Sequence, residues 1–137
     1  MTRPFQKVCE QLRDAGLRPT RQRMALGKLL LEGDDRHVTA EQLHQEVVGS
    51  GVQVSLATVY NTLNQFTGAG LLKEIVVESG RSYFDTNINA HHHFFCESTG
   101  SLLDIDAESI PLGTIPTPPA GTEIAGVEVI VRLRATK

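Results

Sequence analysis

The chain has 137 residues, enough for one domain or two very small ones, with 13 Lys/Arg against 16 Asp/Glu and a formal net charge of −3. No run approaches the ~18 apolar residues of a membrane span, and the opening MTRPFQKVCEQLRD lacks the apolar core of a signal peptide, which predicts a cytoplasmic protein. Two cysteines far apart, Cys9 and Cys96, give no disulfide framework and agree with a reducing compartment.

In chain order, Phe5, Val8, Cys9 and Leu12 recur at i, i+3, i+4, i+7, so residues 4 to 15 are expected to form an amphipathic helix opening at Pro4 and ending at Gly16. Thr20 can cap a second helix, RQRMALGKLLLE, that stops near Gly33. Thr39 followed by Gln42 is a capping-box pattern opening AEQLHQEVV, which Gly49 to Gly51 close. Ser55 caps a fourth helix, LATVYNTLNQFTGAG, ending at Gly68 to Gly70. The period then changes. LLKEIVVE and RSYFD flank Ser79-Gly80 as a β-hairpin, and short helices followed by a hairpin follow the winged helix-turn-helix plan. HHHFFCE and SLLDID around Thr99-Gly100 predict a second hairpin. The proline-rich IPLGTIPTPPAGT leads to EIAGVEVIVRLR, in which Val127, Val129, Val131 and Leu133 alternate on one face.

The expected fold is therefore α+β: an N-terminal winged helix-turn-helix over residues 1–86, followed over 87–137 by a small α/β unit made mainly of strands. So small a second unit has little core of its own, and its alternating strand needs a cover, which predicts a homodimer.

Charge is distributed unevenly. Residues 1 to 28 carry Arg3, Lys7, Arg13, Arg18, Arg21, Arg23 and Lys28 against Glu10 and Asp14, a net of +5; residues 87 to 137 carry three basic and six acidic residues, a net of −3. A basic end on an acidic chain suggests a local polyanion-binding surface, although a solvated helix face would show the same charges. The fourth helix adds chemistry to that suggestion. Leu56, Val59, Leu63 and Phe66 form its apolar stripe, and Ala57, Tyr60, Asn61 and Asn64 lie opposite, a face suited to base edges and thymine methyls in a major groove. Arg18, Arg21 and Arg23 could supply phosphate or minor-groove contacts.

In a strand, His91 and His93 point to one face and His92 to the other. Asp104 would lie on the partner strand, and Asp85 ends the hairpin before it. Two imidazoles with one or two carboxylates suit Fe²⁺, Mn²⁺ or Zn²⁺. His37, alone in sequence, is by itself more often a surface residue than a ligand. A small metalloenzyme is the rival class, with Glu97 as the nearest candidate general base; a metal-storage module would leave the helical half without purpose.

The stretch VSLATVYNTLNQFTGAGLLKE, continuing through RSYFD and the histidine run, resembles the Fur family of metal-dependent bacterial regulators over nearly the whole chain. HHHFF and the late PTPPAGTEIAGVEVIVRLR are similar to its iron response regulator (Irr) branch. The resemblance implies a dimeric DNA-binding regulator of iron homeostasis, with Ser55, Ala57, Thr58, Tyr60, Asn61 and Asn64 at the DNA. It implies one regulatory metal per protomer, Fe²⁺ or Mn²⁺ with Zn²⁺ in vitro, held by His37, Asp85, His91, His93 and Asp104 and joining the two halves. It also points to haem at His91, His92 and His93, though the Cys-Pro haem motif of some members is missing, since Glu10 follows Cys9. Asp104, where many relatives have glutamate, resembles the peroxide-sensing PerR branch, in which bound Fe²⁺ drives oxidation of a ligand histidine. The family's structural zinc needs two CxxC pairs. Here only Cys96 remains, with Thr99 in the second position, so no Cys₄ site can be built. Ala90 and His92 stand where an auxiliary site usually has a histidine and an aspartate.

Overall fold

Thr20, Thr39 and Ser55 each end an extended segment and turn a side-chain oxygen onto the third residue of the helix that follows. They accept from Arg23 N at 3.2 Å, Gln42 N at 3.1 Å and Thr58 N at 3.1 Å. The computed structural model describes residues 5–78 and 80–136; Arg3, Pro4 and Ser79, named above, lie outside the described residues. The chain divides into two compact units, Met1–Ile88 and Asn89–Lys137.

The first unit runs α1 (Gln6–Asp14), α2 (Arg21–Leu31), β1 (His37–Val38), α3 (Ala40–Gly49), α4 (Leu56–Gly68), β2 (Lys73–Glu78) and β3 (Arg81–Asp85). The four expected helices are present, and β2 and β3 form the wing. At the ends of α3 and α4, Gly51 and Gly70 take φ of 91° and 82°. Each lets the next amide reach back, Val52 N to Val47 O and Leu71 N to Phe66 O, a closure that needs the left-handed conformation glycine adopts without strain.

Val8, Leu12, Leu26, Leu30, Val38, Leu43, Val47, Val59, Leu63, Phe66 and Phe84 are core residues of this unit. Burying a side chain such as Phe66 stabilises the fold by about 1.5–3 kcal/mol. Leu56 does not join them: it is 36% exposed. Helical side chains lean toward the N-terminus, so one in the first turn projects past the helix end instead of onto the packed face. The buried set on α4 is Val59, Thr62, Leu63 and Phe66, and Thr62 satisfies its hydroxyl by donating to Thr58 O at 2.9 Å.

The strand β1 has no signature in the sequence. It pairs antiparallel with β3, placing His37 opposite Asp85 and Val38 opposite Phe84, so the wing becomes a three-stranded sheet in the order β1-β3-β2. Arg36 clamps this edge: its guanidinium forks onto Glu46 at 2.9 and 2.6 Å, and its amide donates to Thr86 Oγ1 at 2.8 Å. In β2 the alternation is clear, with Ile75 and Val77 buried and Glu74, Val76 and Glu78 exposed.

The second unit holds β4 (His91–Cys96), β5 (Leu102–Asp106), a 3₁₀ turn (Ala107–Ser109) and β6 (Ile130–Leu133), with sheet order β5-β4-β6. The single 3₁₀ turn is its helical part among the described residues. β5 runs antiparallel to β4, pairing His93 with Asp104, and β6 runs parallel to β4, pairing His93 with Ile130. Sequence alternation suggested a strand from Val127 onward, but β6 begins at Ile130 and Val127 is 41% exposed. The reason lies in His92. Val129 N–H donates to His92 Nδ1 at 2.9 Å, so an imidazole takes the place of a backbone partner and the ladder stops there.

Candidate metal centre and nucleic-acid interface

Each unit presents a group of metal-ligand side chains. In the first, the β1–β3 register sets His37 Nε2 3.4 Å from Asp85 Oδ2, and Asp85 is 1% exposed. The other carboxylate oxygen accepts from Asn87 N at 2.9 Å, which fixes the plane of the group. Arg36, Glu46 and Thr86 hold the backbone beside His37 in place.

In the second unit, His91 and His93 share a face of β4, with ring centroids 4.4 Å apart, while Asp104 reaches across from β5. Asp104 Oδ1 lies 3.4 Å from His91 Nε2 and 3.3 Å from His93 Nε2. His91 Nδ1 is 2.6 Å from Asn89 O. A carbonyl only accepts, so Nδ1 carries the proton and, in the neutral ring, Nε2 presents a lone pair toward the carboxylate. A lone pair facing an anion repels it unless a cation lies between them, or the ring is protonated. A backbone carbonyl fixing the tautomer of a ligating imidazole is a common supporting contact at metal sites. The donors present, neutral nitrogen and carboxylate oxygen, thus fit a divalent metal of the iron, manganese or zinc type.

His92 faces the other way. It is 4% exposed, its Nδ1 accepts from Val129, and this leaves the proton on Nε2. Cys96, at the end of β4, has its thiol held below the ordinary range, chiefly by the Thr99 hydroxyl and then by the Thr99 and Ser98 amides. Glu97 is exposed and lies 3.8 Å from Arg132 Nη1.

On α4, Ala57, Tyr60, Asn61 and Asn64 are exposed, Thr58 is half-buried, and Ser55 caps the helix while donating from Oγ to Thr58 Oγ1 at 3.0 Å. Arg18 and Arg21 are exposed. Arg23 is engaged within the unit: Nε and Nη2 donate to Gln65 Oε1 at 3.2 and 3.0 Å, and Nη1 to Arg18 O at 2.9 Å, bracing α2 against α4. Sequence reasoning passed over Glu41, which accepts from Tyr60 Oη at 2.7 Å. Its only local signal is an acidic residue in the first turn of α3, which helix-dipole arguments would explain equally well.

The model of the ferric uptake regulator family matches residues 14–114. The chain belongs to the ferric uptake regulator (Fur) family. The ferric uptake regulation protein of Shigella flexneri is 38% identical over 100 residues, covering 72% of this chain and 68% of its own length. That of Escherichia coli K12 is 37% identical over the same shares. Among solved structures, the ferric uptake regulator from Pseudomonas aeruginosa with manganese is 28% identical with a TM-score of 0.69, over 93% of this chain and 97% of its own. The Vibrio cholerae ferric uptake regulator, at 24% identity and a TM-score of 0.72, covers 93% of this chain and 99% of its own and speaks to the fold. Fur members are metal-responsive transcription regulators, so this chain is one and not an enzyme. No helix among the described residues is long and apolar enough to cross a membrane.

Proposed function

We propose that this Fur-family chain is an Irr-like cytoplasmic homodimer that controls iron homeostasis by reading operator DNA with α4 under the control of one divalent metal per protomer. The metal, Fe²⁺ or Mn²⁺ in the cell and Zn²⁺ in vitro, would be held by His37 and Asp85 of the first unit with His91, His93 and Asp104 of the second. The carrying observation is the His91 Nε2 lone pair turned toward the Asp104 carboxylate beside a second imidazole, a donor arrangement that asks for a cation.

Asp85 and His91 are six residues apart, at most about 20 Å of chain, so the two donor groups are presented to each other at high effective concentration. Bound there, the metal would supply a positively charged bridge between units. The residues do the rest: Asn89 sets the His91 tautomer, Asn87 orients Asp85, and Arg36 fixes the strand that carries His37. A bridge of this kind biases how the two units are arranged and hence the spacing of paired α4 helices in a dimer. At the DNA, Tyr60, Asn61, Asn64, Ala57 and Thr58 would face base edges, Ser55 the backbone, and Arg18 and Arg21 the phosphates. Arg23 takes part by bracing α4.

Haem at His91, His92 and His93 would have to engage His92 through Nε2, since Nδ1 already serves Val129. A PerR-like peroxide response is favoured by Asp104, whose carboxylate is 47% exposed. Its signature would be oxygen added to a ligand histidine after treatment with Fe²⁺ and peroxide, seen by mass spectrometry.

The deciding experiment is a gel-shift titration on the protein's own promoter region with Mn²⁺, with chelator and with haem. Retardation that responds to none of the three would overturn the effector assignment.

A further inference from the structure

The outward face of α4 is tied to α3 at one point. Tyr60, 39% exposed, donates from Oη to Glu41 Oε1 at 2.7 Å across 19 residues of sequence. The Tyr60 hydrogen bond, and then its own backbone amide, hold the Glu41 carboxyl below the usual range, so it is ionised near neutral pH. An ionised carboxylate can only accept, and a phenol has one proton to give. With that proton committed to Glu41, Tyr60 Oη approaches DNA as an acceptor alone. In the major groove adenine N6 and cytosine N4 donate, whereas thymine O4 and guanine O6 accept; N7 accepts in both purines and does not tell them apart. The pair opens onto a cleft lined also by Asn64 of α4 and Glu74 and Arg81 of the wing.

We propose that Glu41 is a specificity-determining residue: by holding the Tyr60 proton it limits Tyr60 to bases that present an exocyclic amine in the major groove, adenine or cytosine, and turns thymine O4 and guanine O6 away by acceptor–acceptor repulsion. This rests on the reading of α4 as the recognition helix and adds the rule by which one of its side chains chooses. A carboxylate beside a DNA-binding face also opposes phosphate, so Glu41 lowers affinity for any duplex while sharpening preference among sequences. An acid present only to favour the α3 dipole would act on stability and leave base preference untouched.

The test is selection of bound duplexes from a randomised pool by the full chain, in the Mn²⁺-loaded and chelated forms, followed by the selected duplex with single adenines replaced by purine or single cytosines by 2-pyrimidinone. For the parent, removing one exocyclic amine in one half-site should cost roughly five- to tenfold in affinity, the worth of one hydrogen bond. Tyr60→Phe should be indifferent to that amine. Glu41→Ala should admit guanine or thymine at the same position, with affinity for random duplex unchanged or raised. Should Glu41→Ala fail to fold, Glu41→Gln, whose amide can donate to the phenol oxygen and free its proton, should relax the same position. Unchanged base preference in the folded Glu41 variant overturns the proposal, as does a Tyr60→Phe variant that keeps the parent's amine requirement. A Tyr60→Ala variant that loses specific and random duplex equally removes Tyr60 from base readout altogether, as does a chain that retains no duplex in either form.

Discussion

His37 and Asp85 face each other across two strands, with Nε2 and Oδ2 3.4 Å apart, although Asp85 alone is fully buried. A two-residue strand would ordinarily be too short to hold a side chain in register. Here Arg36 and Thr86 extend the pairing on one side, Arg36 N donating to Thr86 Oγ1 and Thr86 N to Arg36 O at 3.0 Å. The relationship places a nitrogen and an oxygen donor side by side on neighbouring strands of the sheet, the edge strand β1 and the central strand β3.

From it follows the metal prediction. One divalent ion per protomer is expected. His91→Ala or His93→Ala should abolish binding, since each removes one of the few neutral nitrogen donors. His37→Ala should cost less affinity but should disconnect metal from DNA binding, because His37 belongs to the helical unit. Acidification should release the ion, since a protonated imidazole is no ligand. Metal content and gel shifts for the three variants check this, and metal-dependent DNA binding that survives in both His37→Ala and His93→Ala would sink the five-residue assignment.

For DNA, Tyr60→Ala should weaken the specific duplex by ~1–3 kcal/mol more than a random one. Arg18→Ala should weaken both, and lower the slope of log affinity against log salt by about 1 if it removes one phosphate contact. Fluorescence anisotropy at several salt concentrations separates the two behaviours.

The Tyr60–Glu41 contact also predicts a pH window. Tyr60's phenol titrates above its ordinary range, the Glu41 hydrogen bond being the main cause, and Glu41's carboxyl titrates below its own. A raised phenol contributes fully below its unfolded value, about 10, and the contribution is lost as pH rises through the folded one. A depressed carboxyl contributes above its unfolded value and loses this as pH falls through the folded one. Because both groups are exposed, the effect belongs to the titration more than to stability. In Glu41→Ala the Tyr60 transition should move back down in an ultraviolet titration, with Tyr83→Phe as background.

The homodimer prediction falls on β6 and its approach. Val127 is exposed, and Val129 and Val131 are only half-buried within the chain, as expected of an interface seen without its partner. Val127→Asp is expected to shift light scattering toward monomer at micromolar concentration. A parent chain that is itself a folded monomer at that concentration would overturn the reading.

Gly27 gives a stability prediction of unusual sign for a helix. Replacing a helical glycine by alanine ordinarily stabilises, by up to about 1 kcal/mol. A Cβ at Gly27, however, would lie 2.8 Å from Val8 Cγ1, a branched side chain buried in the core. Gly27→Ala should therefore lower stability, by about 1–3 kcal/mol for overpacking less the propensity gain, in urea unfolding.

The helices were legible because their signals are local: Thr20, Thr39 and Ser55 lie within three residues of the amides they cap, and Val59, Leu63 and Phe66 repeat on one face. The alternation that put His91 and His93 together, with His92 opposite, is local too. Family motifs marked His37 as a ligand where its neighbours in sequence gave no reason to. What the tertiary structure decided is which distant groups meet. β1 exists because Arg36 finds Thr86 50 residues away, and no two-residue strand carries a period that could announce it. β6 starts only at Ile130 because an imidazole from β4 takes the Val129 amide, a side-chain competition that apolar alternation cannot encode. Leu56 matches the stripe yet stays exposed, since the direction of a side chain in a first turn outweighs its spacing. Tyr60 reads alone as an exposed phenol; folding hands its proton to Glu41 on another helix, and hydrogen-bond geometry between elements is fixed only when the elements pack.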